Sequence, residues 1–282
     1  MKPLHRESDL AHVDPGTGPA VVLLHGYPFD NSMWSEQVDF LSAHGYRVIA
    51  PDLLGFGKTV AQTSVYEPSA PNHGLKSVAL NKITSMPDMA RDVAALMDQL
   101  AIVDATICGL SMGGYVAFEF AHLFPLRVRG LVLADTRAPA DNEQEKLGRA
   151  QQVEQMLAKG MTEIAEGSLA KLLAPRTLAE KPAVVARVRD MILRANPRGA
   201  AAAQRGMAAR RNYSDDLPGI KVPVLIITGR QDSIRPVADA EFMHQRLNNS
   251  RLEIIEDAAH MTNMEQPEIF NRALRDFLAH AV

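Results

Sequence analysis

This 282-residue chain has almost no cysteine, no long apolar run and no strong excess of either charge. Its one cysteine, Cys108, excludes a disulfide within the chain and a cysteine-ligated metal cluster. No uninterrupted apolar run exceeds five residues, whereas a membrane-spanning helix needs about 20. Met1–Leu10 lacks the apolar core of a signal peptide. We therefore expect a cytoplasmic protein with no part in the membrane.

The composition limits the partners and the number of cores. The formal net charge is −3, whereas nucleic-acid-binding proteins present strongly basic surfaces. We therefore expect no nucleic-acid partner. Because 46% of the residues are hydrophobic, the chain can bury one large core, or one core with an appended subdomain.

Apolar segments with the length of buried strands alternate with segments of helical periodicity. This alternation predicts an α/β fold with a mostly parallel central sheet and helices on both faces. The predicted strands are Ala20–Leu24, Tyr46–Ala50, Ala105–Cys108, Leu131–Ala134, Val224–Thr228 and Leu252–Ile255. The predicted helices are Ser32–Ala43, Pro87–Leu100, Met112–Leu123, Val237–Leu247 and Pro267–Ala279.

Two segments interrupt the alternation. No strand pattern occurs between Asp135 and Pro223, where the sequence is helical and rich in alanine and arginine. This predicts a helical insertion over residues 137–216, with the core formed by residues 1–136 and 217–282. Lys58–Met86 has little periodicity, and loops of this length are usually functional or disordered.

The segment Gly109-Leu110-Ser111-Met112-Gly113 has the G-x-S-x-G pattern and lies between a predicted strand and a predicted helix. A sharp strand-to-helix turn exposes a serine hydroxyl as a nucleophile, and it requires small flanking residues. It also leaves the amide of Met112 free to bind an oxyanion. We predict Ser111 as a catalytic nucleophile.

A serine nucleophile needs a base and an acid that orients the base. His260 lies in the loop after the predicted strand Leu252–Ile255 and is the favoured base. Asp232 follows the preceding strand and gives the chain order Ser, Asp, His. Asp135 ends another strand and is the alternative acid.

The loop His25-Gly26-Tyr27-Pro28 follows the first predicted strand and is the expected source of a second oxyanion donor. Proline has no amide hydrogen, so the Tyr27 N–H is predicted to act together with the Met112 N–H. We interpret His25 as a structural brace of this loop. Asp52–Gly57 lacks a third glycine at the spacing of a nucleotide-binding loop and is interpreted as a turn.

The sequence also predicts which residues contact the substrate. Four apolar residues near the motifs, Phe29, Trp34, Met261 and Met264, indicate an apolar acyl pocket, although each residue could equally belong to the core. Nine basic residues and two acidic ones lie between Arg176 and Arg211. They could attract anionic substrates, but a solvated helix surface is the favoured interpretation.

The chain resembles the α/β-hydrolase-fold family, close to small esterases, enol-lactonases and cofactor-free haloperoxidases or perhydrolases. The similar segments are His25–Pro28, Asp52–Gly57, Gly109–Gly114, Gly229–Asp232 and Ala259–His260 followed by Glu265-Gln266-Pro267. The resemblance implies a triad of Ser111, Asp232 and His260, and it identifies the insertion as a helical cap. The segment before His25 is short for the family, so the first antiparallel strand should be missing or stunted.

The resemblance also implies the reaction class. Family members that use an aspartate nucleophile form a different intermediate, whereas a serine forms an acyl-enzyme. We therefore expect a serine hydrolase of small-molecule carboxylic esters or lactones, with no cofactor, no metal and no membrane partner. The alternatives are perhydrolase or haloperoxidase activity, a slow-turnover receptor for small molecules, and a cofactor-free lyase or oxygenase on the same triad.

Overall fold

A sheet of seven strands forms the centre of the computed structural model, which describes residues 10–59 and 83–281. The strands are β1 (His12–Val13), β2 (Ala20–Leu24), β3 (Arg47–Pro51), β4 (Ala105–Leu110), β5 (Val128–Ala134), β6 (Val224–Gly229) and β7 (Ser250–Ile255). Their spatial order is β1-β3-β2-β4-β5-β6-β7, and β1 alone is antiparallel to its neighbour. The predicted α/β fold with a mostly parallel sheet is confirmed.

Burial explains why the apolar runs located the strands. All six residues of β4 and all six of β6 are buried. Because successive side chains of a strand point to opposite faces, both faces of the sheet centre must be covered. The covering helices of the core are α1 (Ser35–Ala43), α2 (Met86–Gln99), α3 (Met112–Leu123), α9 (Val237–Arg246), α10 (Thr262–Glu265) and α11 (Pro267–Ala281).

Local sequence also determines where these helices begin. The side chain of Ser85 accepts a hydrogen bond from the Asp88 amide, which caps the start of α2. Pro87 lies in its first turn, where a missing amide hydrogen has no cost. The helix buries an apolar stripe that includes Met89, Val93 and Met97, as its three- and four-residue spacing indicates.

Strand β1 is only two residues long and pairs His12 with Pro51 and Val13 with Ala50 of β3. Both of its residues are exposed. The expectation of a stunted first strand therefore agrees with the structure. No apolar pattern identifies such a strand, because it buries neither side chain.

Five helices connect β5 to β6: α4 (Glu143–Lys159), α5 (Thr162–Leu172), α6 (Pro175–Glu180), α7 (Pro182–Arg194) and α8 (Pro197–Ala208). All five lie within residues 137–216, the segment assigned to the insertion by sequence, and we call them the cap helices. A capping box of Asn142 and Glu145 opens α4. Helix α8 lies against the core so closely that a Cβ on Gly199 would be 2.0 Å from the Gly55 carbonyl oxygen.

The irregular segment Lys58–Met86 is described only at its ends, because residues 60–82 lie outside the described residues. Its C-terminal end meets the cap, where the Thr84 amide donates to the Ala202 carbonyl at 3.1 Å.

Within the described residues, no helix combines the length and the apolar character needed to cross a membrane.

Candidate active site

Three side chains from three loops meet at the carboxyl edge of the sheet. Ser111 follows β4, Asp232 follows β6 and His260 follows β7. The Nε2 atom of His260 is 2.9 Å from the Ser111 Oγ atom, and its Nδ1 atom is 2.7 Å from the Asp232 Oδ2 atom. The structure thus brings together the three residues predicted as nucleophile, base and acid. Their catalytic roles remain a proposal, which is taken up below.

Ser111 lies in a strained turn. Its backbone has φ 55° and ψ −111°, and residues other than glycine rarely adopt such a left-handed φ. The Ser111 amide donates to the Ala134 carbonyl of β5 at 2.9 Å, which anchors the turn to the sheet. A Cβ on Gly113 would lie 2.1 Å from the Leu24 carbonyl oxygen. The turn therefore needs glycine at this position, as the G-x-S-x-G pattern indicates.

We expect Gly113→Ala to lower the stability of the fold by about 3 kcal/mol, because the new methyl group would overlap a fixed backbone carbonyl. Gly148→Ala is the matched control. Gly148 lies within α4 and a Cβ there has no neighbour within 4 Å, so this variant should gain up to about 1 kcal/mol. Thermal unfolding of the two variants measures the difference. Equal melting temperatures would contradict the account of the turn.

Asp232 is almost completely buried and accepts three hydrogen bonds. Its Oδ1 atom accepts from the amides of Ile234 (2.8 Å) and Arg235 (2.9 Å), and its Oδ2 atom faces His260. A carboxylate in this position favours the histidine tautomer with hydrogen on Nδ1. The lone pair on Nε2 then points to the Ser111 hydroxyl, as required for proton transfer.

The carboxyl group of Asp135, the alternative acid, is hydrogen-bonded to residues other than His260. Its Oδ1 atom accepts from the Gly229 amide at 3.0 Å, and its Oδ2 atom is 2.5 Å from the Thr262 Oγ1 atom. The geometry therefore supports Asp232 as the partner of the imidazole. Burial, with the nearby negative charge of Asp232, raises the pKa of Asp135 well above its usual range.

Of the two amides predicted to form the oxyanion hole, that of Met112 directly follows Ser111 in the chain, and that of Tyr27 follows a strand that pairs with β4. Met112 is the first residue of α3 and Tyr27 is in the loop after β2. Neither amide hydrogen has an acceptor among residues 10–59 and 83–281. Helix N-terminal amides such as that of Met112 also attract developing negative charge. The peptide bond between Tyr27 and Pro28 is cis.

His25 and Asp52 hold the loops around this site. The His25 Nδ1–H donates to the Gly26 carbonyl at 2.9 Å, and its Nε2 atom accepts from the Leu53 amide at 2.9 Å. Burial lowers the pKa of His25, which favours the neutral ring needed for this arrangement. Asp52 accepts from the amides of Asn31 and Lys58, both at 2.8 Å. Each residue connects the loop after β2 to the loop after β3, consistent with the interpretation of His25 as a structural brace.

The four residues predicted to line an acyl pocket are all buried. Trp34 packs against Phe270 of α11 with a ring-centroid separation of 5.9 Å, and Phe29, Met261 and Met264 are at most 2% exposed. All four side chains pack in the buried core. Their role as pocket residues remains a prediction.

Ion pairs account for most of the basic residues between Arg176 and Arg211. Six of the nine pair with carboxylates; these are Arg176, Arg187, Arg189, Arg194, Arg210 and Arg211. Arg194, for example, binds Asp30 at 2.7 Å across the boundary between cap and core. Such pairing reduces the attraction for anionic substrates, so it favours an ion-paired surface over substrate steering.

Sequence reasoning missed a contact between the cap and the histidine loop. The His260 amide donates to the Leu172 carbonyl of α5 at 3.0 Å. The buried carboxylate of Glu265 accepts from the Ala259 amide and from the Ala174 amide of the cap, both at 2.7 Å. The available signals were one acidic residue in an otherwise apolar or neutral segment around Met264 and the family resemblance of Glu265-Gln266-Pro267.

Comparison with known proteins agrees with the observed fold. A family model described as alpha/beta hydrolase fold matches residues 19–267. The chain is 30% identical to 3-oxoadipate enol-lactonase 2 of Acinetobacter baylyi, over 91% of this chain and 87% of that protein.

Two solved structures extend the comparison. The chain is similar to a thermophilic esterase from Thermogutta terrifontis, solved with malate bound, with a TM-score of 0.86 and 38% identity over 96% of this chain and 93% of that chain. A bromoperoxidase from Bacillus anthracis gives a TM-score of 0.79 at 26% identity, over 96% and 95% of the two chains.

Proposed function

This chain belongs to the α/β-hydrolase fold family, and from that premise we propose that it hydrolyses carboxylic esters or lactones of small molecules through an acyl-enzyme on Ser111. One observation carries the proposal: the hydrogen-bonded series from Ser111 Oγ to His260 (2.9 Å) and on to Asp232 (2.7 Å). The first distance is within the range that proton transfer requires, and the second is that of the hydrogen bond that orients the imidazole.

In the first half of the reaction, Nε2 of His260 takes the hydroxyl proton while Ser111 Oγ attacks the ester carbonyl carbon. The carbonyl oxygen becomes negative and is bound by the amides of Met112 and Tyr27. The tetrahedral species collapses when His260 returns the proton to the leaving alkoxide oxygen. A simple ester releases its alcohol, whereas a lactone keeps the new hydroxyl on the acyl group.

In the second half, water attacks the acyl carbon and gives one proton to Nε2 of His260. The second tetrahedral species expels Ser111 Oγ, which takes that proton back, and the carboxylic acid leaves. Asp232 keeps the imidazole in the required orientation and stabilises the imidazolium form that occurs twice in each cycle. No group other than these residues and water is needed to balance the steps.

The esterase and enol-lactonase relatives support the choice of substrate class. Both types of substrate present an acyl carbon with an oxygen leaving group, for which an acyl-enzyme is the common intermediate. The similarity to a bromoperoxidase makes peroxide the alternative to water as acceptor of the acyl group. We place hydrolysis first because water requires no binding site of its own.

A substrate panel tests this function directly. We expect the protein to cleave p-nitrophenyl esters of short and medium acyl length and an aliphatic lactone, with the free carboxylic acid as product. Stoichiometric labelling of Ser111 by an organophosphonate should abolish both activities, because it removes the nucleophile. Cleavage that persists after complete labelling would contradict the proposal. Peracid formation in the presence of hydrogen peroxide would instead identify peroxide as an acceptor.

A further inference from the structure

The residue directly after strand β5 contacts the end of β6 and the start of α10. Asp135 is fully buried, and its backbone is left-handed with φ 46°. Its carboxyl group binds the Gly229 amide through Oδ1 (3.0 Å) and the Thr262 hydroxyl through Oδ2 (2.5 Å). Gly229 lies three residues before Asp232, and Thr262 lies two residues after His260. One side chain therefore connects the acid loop to the histidine loop.

The two neighbours of Asp135 contact the nucleophile turn in addition. The Ala134 carbonyl accepts from the Ser111 amide, and the Thr136 hydroxyl donates to the Ser111 carbonyl, both at 2.9 Å. The Asp135 amide donates to the Ile227 carbonyl of β6 at 2.9 Å, and this bond fixes the position of the Asp135 backbone. The segment Ala134-Asp135-Thr136 is thus bonded to elements that carry all three members of the proposed triad.

The surroundings of Asp135 favour an uncharged carboxyl group. No cation pairs with it among the described residues, and the negative charges of Asp232 and Glu265 act on it. Burial is the largest cause of its raised pKa, and the two negative charges add to it. An ionised Asp135 accepts from the Thr262 hydroxyl through Oδ2, whereas a neutral carboxyl group would donate from Oδ2 to Thr262 Oγ1; in both forms Oδ1 accepts from Gly229.

We propose that Asp135 is a positioning residue, which holds the Asp232 loop and the His260 loop together as an uncharged carboxylic acid. The inference rests on the proposed function, because positioning matters only if Asp232 and His260 act together. A shift of about 1 Å in such a pair can reduce turnover about 10²-fold. Asp135 does not touch the reacting atoms, so the effect should be on kcat rather than on substrate binding.

Four variants distinguish the loss of the hydrogen bonds from the loss of the charge. Asp135→Asn keeps an acceptor for Gly229 and a donor for Thr262, so it should retain most of kcat. Asp135→Ala removes both bonds and should lower kcat about 10- to 100-fold with little change in KM. Thr262→Val removes one bond and should lower kcat to an intermediate extent, whereas Thr262→Ser, which keeps the hydroxyl, should restore it. The measurement is steady-state hydrolysis of p-nitrophenyl butyrate.

Two kinetic outcomes would overturn the proposal. The first is a wild-type kcat in Asp135→Ala. The second is a loss in Asp135→Asn as large as that in Asp232→Asn, because the charge at position 135 would then be what matters. A Ser111→Ala variant is measured beside them. If that variant were active, the proposed function would be wrong, and this result is distinguishable from either failure at Asp135.

The pH dependence of the melting temperature tests whether the Asp135 carboxyl group is uncharged, and it needs no substrate. A buried acid with a raised pKa stabilises the folded protein fully below the ordinary carboxyl range, and this stability is lost as pH rises through its folded-state pKa. Asparagine cannot ionise. The melting temperature of Asp135→Asn minus that of the wild type should therefore increase from pH 4 toward alkaline pH. A difference that stays constant over this range would overturn the uncharged assignment.

Discussion

Ser111→Ala is expected to lose about 10⁴-fold or more of kcat/KM for p-nitrophenyl butyrate. The variant lacks the only oxygen that lies within hydrogen-bond distance of His260 Nε2 among the described residues. The oxyanion amides of Tyr27 and Met112 remain, so a small residual rate above that of water should persist. Initial rates at several substrate concentrations measure the loss.

The folded state of this variant should be unaffected. Ser111 makes its structural bonds through the backbone amide and carbonyl, and alanine keeps both. Ser42→Ala is a suitable control, since Ser42 is a half-buried serine near the end of α1, far along the chain from the site. It should keep the wild-type rate. Comparable activity in Ser111→Ala and Ser42→Ala would refute the nucleophile assignment.

Asp232→Asn is expected to lower kcat about 10⁴-fold, with a smaller change in KM. Asparagine can keep its oxygen on the amides of Ile234 and Arg235, where Asp232 Oδ1 accepts two bonds. Its amide nitrogen then faces Nδ1 of His260 in place of Oδ2. A donor in that position stabilises the tautomer with hydrogen on Nε2, which cannot accept the proton of Ser111.

Asp135→Asn is the matched control for this substitution, because it makes the same chemical change at a second buried aspartate. It should retain most of the activity. Circular dichroism should show both variants folded, so that a difference between them reports on catalysis. If Asp135→Asn were the more damaging substitution, the assignment of the acid would have to be reversed.

Local patterns were sufficient to predict most of the sheet and the three loops that meet at the site. The predicted strand Ala20–Leu24 has the same bounds as β2, because a fully buried parallel strand is apolar along its whole length. Strand β5 begins at Val128 rather than at the predicted Leu131. Arg129 and Gly130 interrupt its apolar run, and Arg129 is exposed. Val128, at the start of the strand, is buried, but the exposed Arg129 separates it from the apolar run that predicted the strand.

The contacts that join distant segments could not be predicted from one sequence. Asp135 and Asp232 both follow apolar strands, and sequence alone could not decide which one reaches His260. The answer depends on the direction of each side chain after its strand, which is a tertiary property. The bond from Glu265 to Ala174 spans 91 residues and is recognisable only after the cap has been placed. Positioning residues were therefore missed, while the reacting residues were predicted.

The most direct test of an acyl-enzyme on Ser111 is to observe it. The protein is mixed with p-nitrophenyl trimethylacetate, whose hindered acyl group should slow the attack of water, and the reaction is quenched in acid within the first turnovers. Peptide mass spectrometry should then find the trimethylacetyl group on the peptide that contains Ser111, and no such group in Ser111→Ala. Release of p-nitrophenol by the wild type without any acylated Ser111 peptide would contradict the account.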